Sequence, residues 1–96
     1  MKLRITNDEL RLRLSPADVG KLRQGVILRE TLSLPGKAIH FELDSKGSTI
    51  GASVSDNVIR VTVPPAAAAH WSVNDEETLS EVIGEGCRVS IEKDRR

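Results

Sequence analysis

Lys2, Arg4, Arg11 and Arg13 alternate with apolar residues in the opening stretch KLRITNDELRLRL, and cations at that spacing can hold an anion. Folded back at Asn7-Asp8, a two-residue hairpin loop, the stretch pairs Ile5 with Leu10 and Leu3 with Leu12 on one face. The same register sets Arg4 opposite Arg11 and Lys2 opposite Arg13. A slip by one residue would expose every leucine, so burial of one face dictates the basic one. Like charges directly opposed across strands destabilise a pair by roughly 0.2–1 kcal/mol. Three readings follow: side chains splayed into screened solvent, a contact with an acidic protein or a second copy, or a site for small anions or nucleic acid. Acids within the chain, Asp75-Glu76-Glu77 or Glu92 and Asp94, offer an internal match.

Other residue types with chemical potential are sparse. Glu30 falls in phase with the leucines of VILRETLSL, so either a bulge displaces it or it points inward with a partner, and together with His40 it defines an enzymatic alternative. His40, Glu42 and Asp44, at i, i+2 and i+4, share one strand face and are chemically able to ligate zinc, but without helical or CxxC spacing the favoured reading is a solvated face paired to Arg29 and Thr31. Cys87 has no histidine placed near it by spacing, and its phase with Val89 and Ile91 suggests an inert core thiol. GEG lacks the length and the Lys-Ser/Thr of a phosphate loop. No spacing calls for a metal or cofactor, and no catalytic residue is assigned.

Composition narrows the classes. The chain has 96 residues, within the size of one domain spanning 1–96, with 14 Lys+Arg against 14 Asp+Glu. That balance removes the broad attraction of most nucleic-acid binders, and aromatics at 2% leave too few rings for base stacking. One cysteine excludes an internal disulfide framework. The absence of a signal segment or of roughly 20 consecutive apolar residues points to a cytoplasmic chain without a membrane span.

The elements that position these residues are readable from punctuation. Ser15, Pro16 and Asp18 open a short helix, with Leu14 and Val19 placed as a hydrophobic staple and Gly25 as its stop. A second hairpin turns at Pro35-Gly36, with Leu32 facing Ile39, Leu28 facing Leu43 and Arg29 opposite Glu42. A third turns at Asp56-Asn57, with Val54 facing Ile59, Ala52 facing Val61 and Ile50 facing Val63. PPAAAAHW gives a second helix anchored by Trp71, and TLSEVIGEGCRVSIEKD gives a last hairpin about Gly84-Glu85-Gly86. The hairpins share a local pattern but no sequence repeat is visible.

The ordered set MKLRI, LRLRL, SPADV, IRVTVP and IEKD resembles a family of small bacterial proteins known only as a domain of unknown function. The resemblance implies a compact bacterial cytoplasmic domain with no established activity, and carries over no catalytic residue.

The expected fold is α+β: antiparallel hairpins forming a curved sheet or small barrel with two short helices over its open edge or end. The expected function is a non-enzymatic binding or adaptor module. It presents Lys2, Arg4, Arg11 and Arg13 to an acidic protein partner or to a second copy in a homodimer; small-anion or nucleic-acid binding through that face is the alternative, and an enzyme built on Glu30 and His40 the third reading.

Overall fold

The computed structural model describes residues 1–94. Its chain order is β1 (Lys2–Ile5), β2 (Glu9–Leu14), α1 (Pro16–Arg23), β3 (Leu28–Leu34), β4 (Lys37–Asp44), β5 (Gly51–Ser55), β6 (Val58–Thr62), α2 (Pro65–Val73), β7 (Thr78–Ile83) and β8 (Cys87–Lys93). Each hairpin has the register that alternation dictates. Ile5 pairs with Leu10, Leu28 with Leu43, Val54 with Ile59 and Leu79 with Ile91. Turn chemistry fixes those registers: Asp56 and Asn57 both adopt positive φ, at 51° and 66°, the left-handed pair that a twisted two-residue hairpin needs.

The hairpins join in a way that no local signal announces. Sheet A has the order β1-β2-β8-β7 and sheet B the order β3-β4-β6-β5. In each sheet the central pair, β2 with β8 or β4 with β6, runs parallel. The fold is therefore α+β with two open mixed sheets in place of a barrel; β5 approaches β7 where the sheets meet. Exchanging β1-β2-α1-β3-β4 for β5-β6-α2-β7-β8 turns one sheet order into the other, so the chain is a topological repeat of a ββαββ unit.

Both helices follow the inner strand of the first hairpin of their unit, and they pack on each other. In α1 the Ser15 hydroxyl accepts from the Asp18 amide at 3.2 Å and the Asp18 carboxylate accepts from the Ser15 amide at 3.3 Å, a reciprocal cap with Asp in the third position. Gly25, at φ 84°, ends the helix; the Val26 amide donates to the Lys21 carbonyl and the Gly25 amide to the Leu22 carbonyl, closing the last turn. Helix α2 has no side-chain cap and rests instead on its burial, with Ala68 and Trp71 against the core.

Equivalent residues of the two units meet in one hydrophobic cluster. Leu12, Leu14 and Leu22 come from the first unit, Val61, Val63 and Trp71 from the second, joined by Leu28, Leu43, Val89 and Ile91. The Trp71 indole also donates to the Glu77 carbonyl at 3.3 Å, and the Lys93 ammonium lies 5.1 Å from its ring centroid.

Two further sequence expectations change. Cys87 keeps the phase of Val89 but is exposed, because it pairs with Ile83 at the hairpin tip, beyond the reach of the core. Ile50 precedes β5, whose first residue is Gly51, yet it still packs against the cluster. Among the described residues no helix is long and apolar enough to cross a membrane.

Candidate functional site

Alternation places Lys2, Arg4, Glu9, Arg11 and Arg13 on the outer face of sheet A, opposite the leucines. The pairings then extend each row across the sheet. One row runs Lys2, Arg13, Glu92 and Thr78; the next runs Arg4, Arg11, Ser90 and Ser80; Glu9 is level with Arg88 and Val82. The parallel docking of β8 is what delivers Arg88, Ser90 and Glu92 to the basic strands.

Part of the positive charge is matched internally. Arg13 Nε donates to Glu92 Oε1 at 2.9 Å, so one of the acids anticipated from the sequence does face the patch. Arg11 Nη2 donates to Glu9 Oε1 at 3.2 Å, and Glu9 Oε2 accepts from the Ser90 hydroxyl at 3.0 Å. The match is incomplete. Arg11 Nε is buried without an acceptor, and among the described residues Lys2 and Arg4 make neither a side-chain hydrogen bond nor an ion pair. Lys2, Leu3, Arg4, Arg11, Arg13 and Glu92 enclose a shallow pocket of about 130 Å³.

Sheet B shows the contrasting solution. Glu42, buried at the middle of β4, is in register with Arg29 on one side and Arg60 on the other. Arg29 donates through Nε at 2.8 Å and through Nη2 to Glu42 Oε2, while Arg60 donates through Nε at 3.1 Å and Nη2 at 2.8 Å to Oε1. Hydrogen bonds from Arg29 and then Arg60 hold the Glu42 carboxyl below the usual carboxylate range against the opposing effect of burial.

A family of unknown function, DUF7009, matches residues 1–96. The chain belongs to that family. Comparison with curated proteins and with solved structures found no match.

In this DUF7009 chain Glu30 and His40 are not brought together. Glu30 is level with Phe41 and His40 with Thr31, so strand alternation sends the two side chains to opposite faces of sheet B. Glu30 sits in an unbroken register, without a bulge, and accepts from the Met1 ammonium at 3.3 Å. Its partner is thus the chain terminus, which also donates to Asp18 at 2.8 Å. His40 Nδ1 lies 2.9 Å from the Thr31 hydroxyl. The Glu42 oxygens are engaged by arginines, and among the described residues no three His, Cys, Asp or Glu side chains form a group able to hold a metal ion.

Sequence reasoning named the four basic residues of the face but missed Glu9 and Ser90. Glu9 was within reach of inference, since it lies two residues before Arg11 and so on the same face. Ser90 was not, because only the parallel pairing of β2 with β8 brings it level with Arg11.

Proposed function

We propose that the chain is a binding module whose outer sheet A face, centred on Lys2, Arg4 and Arg11, takes an acidic segment of a protein partner. The observation that carries this reading is the incomplete charge match: Arg13 has Glu92 and Arg11 has half of its fork on Glu9, whereas Lys2 and Arg4 have no partner among the described residues. A pocket of about 130 Å³ is small beside the roughly 300–1,000 Å³ typical of small-molecule sites, and it favours a side chain presented by a larger body over a nucleotide or cofactor.

The test is the double reversal Lys2→Glu with Arg4→Glu, chosen because neither residue has an internal ion pair to break. Loss of acidic-peptide binding with an unchanged melting temperature supports the reading; retained binding removes it. Salt-sensitive binding of single-stranded DNA in preference to the peptide favours the nucleic-acid alternative instead.

A second observation favours self-association through a different surface. Of the edge strands, β1 carries Lys2 and Arg4, β3 carries Arg29 and Glu30, and β7 carries Glu81, but β5, Gly51–Ser55, has no charged residue. Charge on an edge deters pairing with another chain, and identical antiparallel edges without charge meet without repulsion. Val54, 75% exposed on this edge, adds apolar area to such a contact.

A further inference from the structure

The internal repeat supplies a control for the basic face. Lys2, Arg4, Arg11 and Arg13 of the β1-β2 hairpin correspond in the second unit to Gly51, Ser53, Arg60 and Thr62 of the β5-β6 hairpin, which has the same register. The backbone plan therefore works with a single cation on that face of the hairpin, and the other three are particular to sheet A. All four cations border one pocket, together with Leu3 and Glu92. Glu92 is turned to Arg13 at 2.9 Å, and Glu9, from the adjoining row, is turned to Arg11 at 3.2 Å. Two of the four positive charges, those of Lys2 and Arg4, thus stay unmatched among the described residues. A single carboxylate would neutralise only one of them and offers two oxygens. A phosphomonoester brings a charge of about −1.5 to −2 at pH 7 and three acceptor oxygens. Those oxygens suit the free donors, two for the guanidinium fork of Arg4 and one for the Lys2 ammonium.

We propose that the pocket between β1 and β2 is a receptor for a phosphomonoester dianion, presented as a phosphorylated serine or threonine of the acidic partner segment and held by Lys2 and Arg4 beside Arg11 and Arg13. This assignment rests on the acidic-segment reading above and names the group that the segment inserts. A volume of about 130 Å³ admits one compact anion and leaves no room for a nucleoside behind it. The strand β1 is an edge of sheet A, and Lys2 and Arg4 are exposed on it, so a segment reaches them without rearrangement of the sheet. The dianion also relieves the repulsion between Arg4 and Arg11 and between Lys2 and Arg13, which stand directly opposed.

The experiment measures anisotropy of fluorescein-labelled peptides of one acidic sequence whose central residue is phosphoserine, glutamate or serine, each titrated with the full chain. Wild type is expected to bind the phosphoserine form about tenfold or more tighter than the glutamate form, the scale of one added charge-assisted hydrogen bond. Arg4→Gln is expected to remove that preference. Arg88→Gln, which removes a cation of the same sheet face outside the pocket, is expected to keep it. Equal affinity of wild type for the phosphoserine and glutamate peptides overturns the proposal. An equal loss of preference in Arg4→Gln and Arg88→Gln overturns it too, because net charge alone would then account for the binding.

If wild type binds the two peptides equally and the Lys2→Glu/Arg4→Glu variant loses both, the face binds acids without a phosphate site. If wild type takes no peptide, or binds single-stranded DNA more tightly than all three, the underlying reading fails first. Inorganic phosphate is the remaining arm: displacement of the phosphoserine peptide by an equal concentration of phosphate would make the free anion the ligand and overturn the assignment to a protein segment. Thermal unfolding establishes whether Arg4→Gln folds. Should it not, Lys2→Gln carries the same test, with the same loss of preference expected and a retained preference overturning the site.

Discussion

Ser90 of β8 stands in sheet A where Glu42 of β4 stands in sheet B, each level with an arginine on a parallel neighbour. Glu42 thus engages the guanidinium on its parallel neighbour, whereas Arg11 finds no carboxylate on β8 and turns to Glu9 of its own strand. The difference is chemical and sits on one backbone plan.

Removing the internal carboxylate has a measurable cost. Glu42→Gln is expected to destabilise the fold by about 1 kcal/mol, below the roughly 1.5–3 kcal/mol of hydrogen bonds to charged groups, because Arg29 and Arg60 are half exposed and water screens them. Chemical denaturation near neutral pH checks this. The Glu42 carboxyl is held below its unfolded value, so its contribution is present above the unfolded carboxylate range and is lost as pH falls through the folded value. The gap between wild type and Glu42→Gln should therefore narrow in acid; a gap that widens there contradicts the pairing.

The chain terminus titrates in the opposite sense. Burial pulls the Met1 ammonium pKa down, but hydrogen bonds and charge from Asp18 and Glu30 outweigh it and raise the value above 8.0. Asp18 is lowered: burial pushes it up, and the ammonium with the Ser15 cap more than offsets that. The ammonium contribution is complete below its unfolded pKa and disappears as pH rises through the folded one. Acetylating the amine is expected to lower the melting temperature at pH 7 and to flatten the alkaline limb of its pH profile. An unchanged limb would show that another group titrates there.

How much of this could be read from the chain depends on the distance over which each signal acts. Registers within hairpins were legible because alternation and turn residues such as Asp56-Asn57 are local. The helix after Leu14 was legible for the same reason, through Ser15, Asp18 and Gly25. The parallel pairings were not, since Leu12 and Ile91 meet across almost the whole chain and any apolar alternating strand would satisfy either. The repeat was also hidden: Leu12, Leu14 and Leu22 recur at the same spacing as Val61, Val63 and Trp71, but only the pattern of burial is kept, not the residue types. LRLRLSP against IRVTVPP is the trace that remains. For the site, the basic residues were visible and the position of Ser90 was not, because its meaning comes from that non-local pairing.

Trp71 and Leu22 are the matching helix anchors, each 1% exposed. Trp71→Ala is expected to cost about 3–5 kcal/mol, the range for truncating a buried aromatic, with loss of the Glu77 hydrogen bond included. Equilibrium unfolding by circular dichroism measures it. A loss near zero would mean that α2 is not fastened by its tryptophan.

If the uncharged β5 edge pairs with a second copy, a concentration-dependent dimer is expected in analytical ultracentrifugation. Val54→Lys, which places a charge on each copy of that edge, is expected to give monomer at the same concentration without loss of fold. A wild type that stays monomeric over the accessible range removes the self-association reading, and leaves the basic face untouched.

The most direct test of the central claim is anisotropy of the labelled glutamate-rich peptide with wild type and with Lys2→Glu/Arg4→Glu, at low and at moderate salt. The account requires binding by wild type that weakens with salt, and a loss of about tenfold or more in the double variant. Binding that is equal in the two proteins, or absent from wild type at low salt, would contradict it.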